Sequence, residues 1–449
     1  MRRALAGLAL ATLCACAPAP DPPGPRSVFL VVVDTLRADR LSCYAADAPA
    51  TPHVDALARD GVRFAQAQAM ASWTLPSMAA LLTSRWPREL GMIERADDPK
   101  WPERVRQQRR LHRMPLREDV DTLAGRFRDA GFATAAFVNQ PLLAPRRGFD
   151  RGFDHWLQAS GAGRVVPRRE LGPESRQRWG SLDHAFANDA LLVDAFEQWL
   201  GAAPPDAPVF AWIHLLTPHR PYLPAEGFAP EGDDPAALYD AEVRAVDSLV
   251  GRLRRAIETR RGGEAPVLAF TSDHGEAFGE HGEREHGNTL HAEVMRVPLL
   301  LVAPESLSAG RVVDAVAPAI DLAPTLLELA GLPVPSSMRG GSLLARIAGG
   351  EDPRPVLAEG MLYGPSERAW IEGGWKLLVD EAEPRPALYA LGDDPQERSD
   401  LAPREPDRVA AMRARMAAFL ADLSRGPRQD PLDPDAETRD ALRALGYAD

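Results

Sequence analysis

Five stretches of this chain are apolar at almost every position: 27–33, 133–138, 209–216, 267–271 and 296–302. A strand with one wet face alternates, whereas a run without alternation suits a strand covered on both faces, as in a parallel sheet. Helical patterns lie between the runs. Residues 51–64 read as a helix entered at Pro52 and stopped by Gly61, followed by a strand, and 121–130 read as an amphipathic helix closed by Gly131. Residues 183–200, 237–257 and 320–329 are three further helical patterns. This alternation predicts an α/β fold: one large, doubly wound mixed sheet with helices on both faces. From about residue 351 the runs shorten (356–359, 369–372, 376–379, 387–391) and a helix at 408–423 follows. That texture predicts a small C-terminal α+β subdomain over 346–449, packed on a catalytic domain at 27–345. A length of 449 residues suffices for both.

The first residues read as an export signal. Arg2 and Arg3 precede an apolar run at 4–13, too short to span a bilayer, and then Cys14-Ala15-Cys16. The tripeptide is similar to a bacterial lipobox with Cys16 as the lipidated residue; plain cleavage near Ala17 is the alternative. Residues 17–26, rich in proline, form a stiff tether. The expected location is therefore outside the cytoplasm, periplasmic or membrane-anchored, in a bacterium. A net charge of −12 excludes nucleic acid as the partner, because nothing would neutralise its phosphates.

Chemistry gathers where strands end. In doubly wound sheets the carboxyl ends of the strands converge on the ligand. Asp34 closes the first run, His219 follows the third within Pro218-His219-Arg220-Pro221-Tyr222, and Asp273-His274 follow the fourth. Thr74 opens Thr-Leu-Pro-Ser ahead of an apolar, helix-like run at 78–82. Each has an ordinary reading as well: a helix cap, a turn cap, a buried histidine. Together, two carboxylates, an imidazole and a hydroxyl make a first shell for a divalent cation. That mixture favours zinc or manganese, with calcium as the all-oxygen alternative. Such a cation would lower the pKa of the Thr74 hydroxyl and make it a nucleophile.

The ordered motifs resemble the sulfatase family of the alkaline phosphatase superfamily. They are Val-Val-Val-Asp-Thr-Leu-Arg-Ala-Asp-Arg-Leu-Ser-Cys-Tyr at 31–44, the block at 51–64, the turn at 74–87, and 148–154, 272–276, 296–299, 321–325 and 388–398. The resemblance implies an alkaline phosphatase-like fold and hydrolysis of a sulfate or phosphate ester on a small molecule, glycan or lipid. It implies metal ligation by Asp34, Asp273, His274 and Thr74, with Thr74 as nucleophile. His219 stands where a histidine contacts the ester, and His286 where a second histidine contacts substrate or metal. Asn139 falls near a substrate-binding block.

The departures are informative. Family sulfatases act through a formylglycine made from Cys or Ser, and the β-methyl of Thr74 blocks that aldehyde. Met78 replaces an arginine, Thr35 a second aspartate, and Phe-Val-Asn-Gln at 137–140 stands near a lysine block. Superfamily phosphodiesterases and envelope phospho-substituent transferases use unmodified threonine. Two alternatives therefore stay open: such a transferase, or an inactive, glycan-binding pseudo-sulfatase. His281 is read either as a third metal ligand or as a solvated loop histidine. Cys43, Tyr222, Glu242 and Asp247 are read as structural.

Overall fold

A computed structural model describes residues 25–93, 114–159 and 185–423, with breaks at 206, 261–264, 351–353, 364–366 and 381–384, and a few positions beyond 423. The signal, most of the tether and most of the loops at 94–118 and 159–182 lie outside the described residues.

The apolar runs form the centre of a nine-stranded sheet. β1 (Val28–Val33) is buried at every position. It pairs in parallel with β5 (Val209–Leu215) on one side and β6 (Val267–Ser272) on the other. β2 (Val62–Gln68), β3 (Ala133–Val138), β4 (His155–Gln158), β10 (Leu299–Val302) and β11 (Arg311–Pro318) complete the order β11-β2-β10-β6-β1-β5-β3-β4, with β9 (Arg296–Val297) pairing β2. β10 runs antiparallel to both its neighbours, so the sheet is mixed. The single run expected at 296–302 is two strands, divided at Pro298, which has no N–H to donate to a ladder.

Alternate residues of β1 enter different cores. Phe29, Val31 and Val33 pack with α1 (Pro52–Asp60), α4 (Ala185–Ala202) and α5 (Pro235–Thr259). Val28, Leu30 and Val32 pack in the core that holds α2 (Thr74–Thr83), α3 (Leu123–Asp129) and α6 (Leu322–Leu329). α2 is apolar nearly all round, and every one of its residues is buried. Asp247 of α5 accepts from the backbone N–H groups of His53 and Val54 and so caps α1 across the helix pair.

β7 (Ala277–Phe278) and β8 (Arg284–Glu285) form a hairpin beyond the sheet edge. β12 (Val356–Ala358), β13 (Glu367–Glu372), β14 (Trp375–Asp380) and β15 (Ala387–Ala390) make a separate antiparallel sheet, and α7 (Pro406–Asp422) packs on it. Leu357, Trp370, Leu377 and Met412 belong to the same apolar core as α2. Among the described residues no helix is long and apolar enough to cross a membrane.

Candidate active site and metal centre

Register sets the site. Val33 lies level with Leu215 and with Ser272, and Val138 with His214. The next residues along the four central strands therefore emerge together: Asp34, Asp273, Leu216, and Asn139 followed by Gln140. Side chains alternate between faces. Asp34 continues the alternation of Val28, Leu30 and Val32, which face the α2 side, whereas Asn139 bonds Asp189 on the α4 side.

Asp34, Asp273 and His274 converge with full burial, and their ligand atoms all lie within 4.8 Å of one another. His274 Nδ1 donates to the Gly275 carbonyl at 2.9 Å, which leaves Nε2 with a lone pair. That nitrogen stands 3.7 Å from Asp34 Oδ1 and 3.5 Å from Asp273 Oδ2. Burial lowers the His274 pKa, so the ring is held neutral. Among the described residues, Asp34 Oδ1 and Asp273 Oδ2 accept no hydrogen bond. Two carboxylate oxygens and an imidazole lone pair aimed at one point repel each other unless a cation lies between them. The donor set fits a divalent metal.

The pair titrates as unlike partners. Burial, then the charge of Asp34, pushes the Asp273 carboxyl up to about 7. For Asp34 burial works upward too, but the His214 hydrogen bond and the surrounding imidazoles outweigh it and hold the group below the usual carboxylate range. Gln140 Nε2 donates to Asp34 Oδ2 at 2.6 Å and His214 Nε2 lies 3.4 Å from the same oxygen. These two orient the carboxylate so that Oδ1 faces His274.

Thr74 is the first residue of α2 and is fully buried. Its Oγ1 lies 3.3 Å from His274 Nε2. Ser77 Oγ, one turn on, donates to the Asp273 carbonyl at 2.6 Å and ties the helix to the end of β6. Thr35 sits at φ 58°, costly for a β-branched residue. Its N–H thereby reaches Asp273 Oδ1 at 3.3 Å, and its carbonyl accepts from Tyr239 Oη at 2.7 Å. Gly275 passes so close to the short helix Ala292–Met295 that a Cβ there would stand 2.1 Å from the Glu293 carbonyl oxygen.

His219 and His286 border the same point. Their ring centroids are 5.0 Å apart, and His286 lies 4.6 Å from His274. His219 Nδ1 donates to the Arg220 carbonyl at 2.6 Å. His286 Nδ1 meets Glu276 Oε1 at 2.9 Å. Burial pushes His286 down to about 4 and Glu276 up to about 7.

Asn139 is placed differently from the expectation. Its amide donates to Asp189 at 2.7 Å on the α4 side, and the neighbouring Gln140 reaches the cluster instead. Period-two alternation is the reason: adjacent residues of a strand end serve opposite faces. His281 stands outside the Asp34, Asp273 and His274 cluster and is partly buried. Its Nδ1 lies on Glu293 at 2.9 Å and its Nε2 on the Glu397 carbonyl at 2.9 Å. Sequence reading missed Gln140, His214 and Glu276. The first two carry no motif of their own, while Glu276 stood inside the Ser-Asp-His-Gly-Glu block.

Comparison with known proteins places the chain in a family and a fold. The family model for sulfatases matches residues 26–332. N-acetylglucosamine-6-O-sulfatase of Bacteroides thetaiotaomicron is 23% identical, with 76% of this chain aligned to 73% of that one. Ps i-CgsB, solved with k-i-k-neocarrahexaose, superposes with a TM-score of 0.70 at 19% identity, covering 94% of this chain and 98% of that one. Phosphonate monoester hydrolase of Agrobacterium radiobacter superposes with a TM-score of 0.68 at 21% identity, covering 88% and 95%. Sulfatases are metal-dependent, in keeping with the Asp34, Asp273 and His274 cluster. The chain belongs to the sulfatase family, a family of ester hydrolases.

Proposed function

We propose that the protein cleaves an ester through Thr74 Oγ1, with phosphorus preferred over sulfur at the reacting centre. The observation that carries this reading is Thr74 Oγ1, 3.3 Å from His274 Nε2 at the start of α2, beside two carboxylate oxygens that accept no hydrogen bond among the described residues. Asp34, Asp273 and His274, with Thr74 beside them, would hold zinc or manganese. Such a cation supplies Lewis acidity, lowering the hydroxyl pKa and drawing charge from the ester oxygens.

The chain's own groups do the rest. The Thr74 Oγ1–phosphorus bond forms as the ester P–O bond breaks. The hydroxyl proton ends on the departing alcohol. Water then cleaves the phosphothreonine at phosphorus and returns a proton to Thr74. His219, with Nδ1 engaged by the Arg220 carbonyl, contacts the ester oxygens or the leaving group through Nε2. His286, braced by Glu276, lines the same space. A sulfothreonine would have to be attacked at sulfur, a slow step that formylglycine avoids by expelling sulfate through its second hydroxyl. Thr74 cannot become formylglycine, and phosphorus is favoured for that reason. The sugar-directed relative supports an ester borne by a glycan.

The test is a panel of aryl sulfate, phosphate monoester, phosphodiester and phosphonate monoester with zinc, manganese or calcium. Thr74→Ala is expected to lower kcat by ~10³-fold or more, and quenched turnover to leave phosphate on the Thr74 peptide. Full turnover by Thr74→Ala would sink the nucleophile assignment. Activity confined to the aryl sulfate would overturn the preference for phosphorus.

A further inference from the structure

Asp189 on α4 is fully buried on the face of the sheet opposite Thr74, outside the cluster just described. Burying a charged side chain is expensive unless its partners are well placed. Its partners belong to two different loops. Oδ1 accepts from Asn139 Nδ2 at 2.7 Å and from the Leu216 N–H at 3.0 Å, and Oδ2 accepts from the Thr217 N–H at 2.8 Å. One carboxylate thus joins the end of β3 to the end of β5.

Each loop leads into the site. The residue after Asn139 is Gln140, which donates to Asp34 Oδ2. Two residues after Thr217 comes His219. The far end of that second loop is held in the same manner, where Glu242 Oε1 on α5 accepts from the Leu223 N–H at 2.9 Å. We infer that Asp189 is a positioning residue for the active site: it locks the Gln140 loop, which aims Asp34, and the His219 loop into one unit. All three donors need an acceptor, so both carboxylate oxygens are used. An asparagine of the same shape would set an amide N–H against one of those N–H groups. The inference rests on the proposed roles of Asp34 and His219.

The experiment compares wild type, Asp189→Asn, Asn139→Ala and Asp194→Asn. Asp194 is an exposed residue of the same helix, paired with Arg252 at 2.6 Å, and serves as control. Each is followed by thermal melting, zinc titration calorimetry and kinetics on the ester that wild type turns over best. Asp189→Asn is expected to bind zinc ~3–10-fold more weakly, at or below the low end of the range for groups that directly orient a ligand. Its kcat should fall by ~10-fold or more, with KM within ~3-fold of wild type. Asp194→Asn should match wild type in all three. Folded Asp189→Asn with unchanged zinc affinity and unchanged kcat would overturn the inference. Should that variant not fold, Asn139→Ala removes the Asp189 bond to the Gln140 loop, and unchanged zinc affinity there overturns it equally. Should wild type turn over none of the esters, the proposed function fails by itself, and the zinc titrations still decide for or against Asp189.

Discussion

Single residues at this site do work that their neighbours in sequence cannot. Asp34 and Asp273 are two buried acids whose inward oxygens accept no hydrogen bond among the described residues, a repulsion that a cation between them would relieve. Zinc or manganese at 100 times its Kd is therefore expected to stabilise the fold by about 2.7 kcal/mol, read as a rise in Tm that a chelator reverses. Asp273→Asn should abolish the rise; an equal shift in that variant would mean the ion sits elsewhere. Asp34, Asp273, His274 and Thr74 were legible as residues because their types and motif positions point to one chemistry. Gln140 was not, since an amide two places beyond a strand carries no motif. Only register and the alternation of faces distinguish it from Asn139.

At the scale of elements, long buried strands were readable and half-exposed ones were not. β1, β3, β5 and β6 have no polar alternation to obscure them. β11 mixes exposed and buried positions and carries a bulge between Val313 and Val316, so its run Arg-Val-Val-Asp-Ala-Val-Ala-Pro lacks a clean period. α2 begins at Thr74, earlier than the apolar run alone indicates, because Pro76 is well suited to a first helical turn. Beyond α2, Arg88 forms two bonds of 2.6 Å with Glu359, just past β12, and both side chains are buried. Arg368 adds a contact to the same carboxylate at 3.4 Å. Glu359→Gln leaves those guanidinium charges under-compensated, and breaking such a buried pair costs about 3–5 kcal/mol. Urea unfolding should register that loss; a change under ~0.5 kcal/mol, typical of surface substitutions, would show the pair to be incidental.

The whole molecule is joined by buried polar contacts between the small sheet and the large one. His281 makes this explicit. A carboxylate and a carbonyl oxygen both only accept, so bonding to Glu293 and to the Glu397 carbonyl requires both ring nitrogens to donate. The Glu293 hydrogen bond chiefly, against burial and with the Glu397 carbonyl, raises its pKa from 6.5 to about 9. A folded-state pKa above the unfolded one stabilises fully below about 6.5 and is lost as pH rises to about 9. Wild type should lose on the order of 2 kcal/mol across that window through this residue, less than the full shift implies because solvent screens a partly exposed pair, whereas His281→Gln should show a flatter profile by denaturant unfolding. Parallel profiles would remove His281 from the account. The ring stacks on His291 at 3.8 Å, whose Nδ1 lies 3.2 Å from Glu397, and Lys376 completes the junction with a 2.7 Å bond to Glu397. None of this could be read from the chain in one dimension. Local pattern determined which segments are strands and helices, that the central strands are covered on both faces, and which acids, histidines and hydroxyl are candidates for the chemistry, because those follow from residue type and short-range spacing. Which side chains meet depends on register, on the face each residue takes and on contacts between residues of different elements, 28 positions apart for Asp189 and Thr217 and 106 for Asp34 and Gln140. Tertiary structure alone therefore decided that Gln140 aims Asp34, that Asp189 holds two loops at once, and that His281 is a junction between sheets.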